Sequence, residues 1–272
     1  MSKKWLKYGL LTLIHLITSY FLGLMCNQMS MSYELILSPS EELLERVLFL
    51  IISIGGVIIS AGIVAQLMKP YWIAVIAFLL SSLAIMAGWQ QFTTTAGIIL
   101  LIYFAICCYG VIRVQSEQKE RLRFSIRPYK DSLSLFSIAL LIVACGSIFV
   151  GSKDIIDRNG FEIPVSYMNL FMDPFKEQVL SQVPDDERAM VEEEFEEQTQ
   201  VMIDGFTEKI EPFEKYIPLI IAIVFFTPLL TVNQVLSFIW LLVLQIVIKV
   251  FTAVGFIKIV TETRDVEKAI LE

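Results

Sequence analysis

The amino-acid sequence predicts an all-α, polytopic transmembrane helical bundle of about seven spans, with an acidic extracytoplasmic helical insert between the fifth and sixth. Three observations carry this. The chain is 56% hydrophobic with a mean hydropathy of +0.69, above the roughly 45–50% apolar content of soluble domains. The excess lies in uncharged blocks close to the roughly 20 residues that cross about 30 Å of hydrocarbon. Most of the acidity lies in one stretch, 152–216, which holds seventeen acidic and six basic residues.

The apolar blocks fall at about 8–26, 47–68, 71–89, 97–114, 133–151, 217–232 and 235–260. The first follows Lys3, Lys4 and Lys7, as a signal peptide would. It is longer than an h-region of about 7–15 residues and lacks a small-x-small cleavage site, so an uncleaved helix is expected. The last two blocks together cover 217–260, interrupted only by Asn233-Gln234. One helix of that length would reach about 66 Å, so a hairpin turning at 231–234 is expected, with Pro228 loosening the sixth helix.

Orientation follows from lysine and arginine in the short loops. With the N-terminus cytoplasmic, ten basic residues fall inside, among them Lys69, Arg113, Arg121, Arg127 and Lys130. The short outer loops hold only Arg46. Trp5, Tyr8, Tyr71, Trp72 and Tyr129 then fall at the inner interface, and Tyr20, Trp89, Phe92 and Tyr216 at the outer one, where amphipathic rings are favoured. Seven spans would put the tail, 261–272, outside.

Packing is legible in small residues. Ala74, Ala77, Ser81, Ala84 and Gly88 recur at spacings of 3, 4, 3 and 4, one continuous face of a helix. Lipid gives no hydrophobic drive between helices, so small stripes that let backbones approach become the contact surface. This third span is expected to be central and to contact two or more neighbours. Gly56-xxx-Ser60 gives the second span a similar face, and either could mediate a homo-oligomer. Ser137, Ala144 and Gly151 do the same for the fifth.

Polar residues at membrane depth are functional candidates. Thr12, His15 and Ser19 share a face of the first span. An imidazole titrates near neutral pH, but a relay needs a carboxylate partner, and no Asp or Glu lies in the seven blocks. A neutral, hydrogen-bonded imidazole is the plainer reading. Gln245, Lys249 and Thr252 share a face of the last block, where Lys249 would snorkel or pair within the bundle. Asn233-Gln234 and Gln66 read as interfacial loop chemistry.

In the acidic stretch, Asp157-Arg158-Asn159-Gly160 signals a turn. The apolar run 161–172 would lie on the outer interface or cover the bundle. Asp173-Pro174 is a cap and first-turn pair for a short helix to about Gln182. A longer helix starts near Pro184, with Phe195, Met202 and Phe206 on an apolar edge opposite Glu192, Glu193, Glu194, Glu196 and Glu197. That edge is the candidate partner-docking surface. The glutamates lack the alternating oxygen ligands and glycine of a calcium loop. The basic loop 113–130 suits anionic lipid heads. Cys26, Cys107, Cys108 and Cys145 lie outside the acidic stretch, which therefore has no disulfide framework.

No catalytic, cofactor or metal motif is present, so neither an enzyme nor a cofactor is expected, nor a metal or nucleic-acid partner. The expected partners are the bilayer and either another protein or a second copy. The composition fits a structural, assembly or partner-docking component of the cell membrane. A channel or small-solute transporter subunit is the alternative, with a water-filled cavity lined by His15, Gln245 and Lys249 as its signature.

Overall fold

A computed structural model describes residues 3–37, 40–121, 125–161, 165–181, 183–184 and 188–257. The elements are α1 (Lys3–Ser30), α2 (Tyr33–Leu37), α3 (Glu41–Leu67), α4 (Tyr71–Trp89), α5 (Thr94–Glu120), α6 (Arg127–Asn159), α7 (Val165–Leu180), α8 (Arg188–Ile210), a 3-10 turn (Glu211–Tyr216) and α9 (Ile217–Ala253). No strand occurs among the described residues. Six helices, α1, α3, α4, α5, α6 and the one containing α9, are long and apolar enough to span a bilayer. The protein is a multi-pass integral membrane bundle.

Local chemistry sets the helix ends. Ser40 and Thr93 cap α3 and α5, their hydroxyls accepting from the backbone N–H of Leu43 and Ala96, and Glu41 and Glu42 sit at the favourable dipole end of α3. Gly160 ends α6 at φ 80°, a conformation that costs glycine nothing.

Successive spans alternate in direction. At one end Tyr8 Oη donates to the Lys69 carbonyl (2.8 Å), and Gln115 Nε2 donates to the carbonyls of Ala65 (3.2 Å) and Met68 (2.8 Å). Gln115 thereby satisfies carbonyls that the C-terminus of α3 leaves open. Lys7 Nζ donates to the Phe256 carbonyl at the same end (2.6 Å). At the other end Gly151 of α6 lies on the Ser30 carbonyl of α1, and the Phe161 N–H donates to the Glu214 carboxylate.

The expected hairpin at 231–234 does not form. Helix α9 runs unbroken from Ile217 to Ala253, about 55 Å, so the described residues hold six long apolar helices, where seven were expected. The described chain consequently ends, at Ile257, beside its N-terminus. The physical reason is turn chemistry: Thr231-Val232-Asn233-Gln234 offers no glycine or proline to leave the helix, whereas continuing through these four residues keeps their backbone groups paired inside the helix. The surplus length is matched by α6, which at 33 residues runs about 50 Å, past the block end expected at 151. Asn159 is helical, so the expected turn begins only at Gly160.

Helix α4 is not central. Its small stripe faces α1 and α5, while Tyr71, Trp72, Ile76, Leu79 and Leu83 are exposed. The enclosed helix is α6, which touches α1, α3, α5 and α9. Outside the bundle, α7 begins at Val165 and carries Pro174 within it rather than at its start. Helix α8 continues through Gly205 to Ile210. Its proposed first residues, 185–187, lie outside the described residues, as does the tail 258–272.

Candidate functional site

Two polar features lie within the membrane-spanning part. The first is a seam buried between α1, α3, α4 and α5. His15 is fully buried, its Nδ1 2.9 Å from Ser60 Oγ and its ring edge-on to Phe78 at 4.9 Å. Thr18 Oγ1 donates to the His15 carbonyl (3.0 Å) and lies 2.8 Å from Ser60 Oγ. Nε2 has no partner. A bare acceptor is tolerated better in an apolar site than an orphaned N–H, so the network assigns the proton to Nδ1. A second chain of hydroxyls follows: Ser19 Oγ to Ser81 Oγ at 2.7 Å, then Ser81 Oγ to Tyr103 Oη at 3.0 Å. Thr12 is not part of the seam; its hydroxyl donates to the Tyr8 carbonyl of its own helix.

The small residues frame this seam. Ala74, Ala77, Ser81 and Gly88 are buried and Ala84 half-buried. Gly88 lies on the α1 backbone at Tyr20 and Leu24, and Gly56 faces Thr18. These stripes are occupied by contacts within the chain.

The second feature is a groove of about 230 Å³ between α6 and α9. Lys130, Ser134, Ser137, Asn233, Gln234 and Ser237 line it with apolar neighbours. Asn233 is only 3% exposed, and its Oδ1 has no partner. Gln245 and Lys249 are exposed on α9, and Thr252 bonds back to the Ile248 carbonyl. His15 lies in the seam between α1 and α3 and is not joined to Gln245 or Lys249.

Scans against protein-family models and searches of curated proteins and solved structures return no significant match. Residue geometry therefore carries the functional argument.

Several residues that matter were misread or unread in the sequence. Asn233 is buried rather than interfacial, because a continuous helix turns it toward α6. Gln66 is 1% exposed. Trp89, the last residue of α4, and Tyr129, in the first turn of α6, are fully buried against neighbouring helices, a pairing the sequence did not show, and Tyr129 Oη donates to the Ile58 carbonyl. Thr18, Tyr103 and Gln115 gave no signal, since one polar residue in an apolar block does not reveal its partner.

The acidic module packs chiefly on itself: α7 against α8, and α8 against the 3-10 turn. Lys176 Nζ and a Glu192 carboxylate oxygen join its helices at 2.6 Å. Phe175, Val179, Val201, Met202 and Phe213 are exposed, with Val201 at 72%. Of the expected docking edge, Met202 is exposed, Phe195 is half-buried, and the Phe206 side chain lies outside the described residues. Among the described residues no three His, Cys, Asp or Glu side chains form a metal-holding group.

Proposed function

We propose that this protein is a non-catalytic assembly or docking component of the cell membrane, whose bundle carries an acidic helical module that receives a protein partner. The carrying observation is the apolar surface of that module. Phe175, Val201 and Met202 are exposed on helices surrounded by carboxylates, and large exposed apolar groups rimmed by charge are characteristic of interaction sites. Lysine and arginine placement supports a cytoplasmic N-terminus and an extracytoplasmic module. The partner would present an apolar ridge flanked by basic residues, matching the module in both respects.

The test is affinity purification of the full chain from its native membrane in mild detergent. A stoichiometric partner is expected, and removal of 184–209 should release it while the bundle stays inserted. Equal recovery of the same partner without that segment would sink the reading. A chain that purifies alone would turn attention to solute flux in liposomes.

A further inference from the structure

Helix α9 has two different exposed faces. One is apolar: Val224, Val235, Ile239, Leu242, Ile246 and Val250 are all exposed, as lipid contact requires. The other carries Thr227, Thr231, Gln234, Phe238, Gln245 and Lys249, also exposed. Together with the half-buried Leu241 at the groove edge, the positions 227, 231, 234, 238, 241 and 245 step by 4, 3, 4, 3 and 4, the seam repeat of two helices wrapped left-handed about each other.

The hydroxyls on this face need no partner. Thr231 donates to the Thr227 carbonyl (3.0 Å), and Ser237 to the Gln234 carbonyl (2.6 Å). The carboxamides do. Gln234 and Gln245 make no side-chain hydrogen bond among the described residues, and Asn233, in the wall of the groove, has a buried Oδ1 without a partner. Amides at membrane depth are costly unless paired.

We infer that two copies of this chain associate along this face of α9, the Gln234 carboxamide of one copy entering the α6–α9 groove of the other to reach Asn233. Both copies cross the membrane in one orientation, so their two-fold axis is the membrane normal and equal residue numbers meet at equal depth. A carboxamide donates and accepts, so Asn233, Gln234 and Gln245 complement themselves across such an axis without a second kind of chain. Lys249 lies toward the end of α9 beside the N-terminus, where its stem can carry the ammonium to the headgroups. The interface is separate from the acidic module and does not rest on the docking role proposed above.

Disulfide trapping in liposomes of the full chain tests this. Gln234→Cys should give a covalent dimer under mild oxidant, whereas Ile246→Cys, on the lipid-facing strip, should stay at the level of the unsubstituted chain with its four native cysteines. Subunit counting by photobleaching should show dimers, and Gln234→Leu with Gln245→Leu should weaken association about tenfold. Monomers at every protein-to-lipid ratio, or equal trapping at 234 and 246, would overturn the inference. So would a Gln234→Cys adduct in native membranes with a mass other than twice that of the chain.

Discussion

Gly23 of α1 and Gly88 of α4 lie so close that a Cβ on Gly23 would stand 3.0 Å from the Gly88 Cα, and one on Gly88 would stand 2.9 Å from the Leu24 nitrogen. The obstructing atoms are backbone, which cannot rotate aside. This crossing brings Ser19 within reach of Ser81.

Replacing Gly88 with alanine should therefore destabilise the bundle by about 1–3 kcal/mol, the usual cost of overpacking. Gly97, on α5, has nothing within 4 Å of an added Cβ, so Gly97→Ala should be neutral or stabilising by up to about 1 kcal/mol. Thermal unfolding of both variants in one detergent compares them directly. Equal melting temperatures would contradict the close crossing.

The His15–Ser60 bond predicts an energetic coupling. In a double-mutant cycle, Ser60→Ala and His15→Leu should fall short of additivity by about 0.6 kcal/mol, the mean for polar pairs between membrane helices. Reversible unfolding in bilayer-mimetic micelles gives the four free energies. Strict additivity would mean the imidazole gains nothing from α3.

The continuity of α9 sets a ruler. Spin labels at Ile223 and Val250, both exposed, should lie about 40 Å apart along 27 residues of helix. A hairpin turning at 231–234 would bring them within about 20 Å. Pulsed electron resonance on the paired cysteine variant separates these outcomes.

Six crossings also predict sidedness. Cysteines introduced at Lys4 and Ile257 should react with an impermeant maleimide from the same face of sealed vesicles, and one at Phe175 from the opposite face. Reaction of positions 4 and 257 from opposite faces would restore an odd number of spans.

Most of the spans were legible because their signals are local: an uncharged block of membrane length, and caps such as Ser40 and Thr93 at its edge. The Ala74–Gly88 face was legible too, since periodicity alone reveals a stripe. Its counterpart Gly23 was not, because a single glycine makes no pattern. The hairpin expectation failed by equating an apolar block with one bilayer thickness, whereas α6 and α9 support each other beyond that limit. Asn233 went with it: a polar pair reads as a turn until the backbone shows that one member faces a neighbour. Pairings such as His15 with Ser60, 45 residues apart, depend on which helix faces lie together, and that is settled only by packing.

The overrun of α6 has an electrostatic meaning. Eight helical residues separate Gly151, level with the end of α1, from Asn159, a rise of about 12 Å. At physiological ionic strength the Debye length is about 8 Å. The carboxylates that follow Asn159 in the chain are thus joined to the bundle through a helical overrun longer than one screening length.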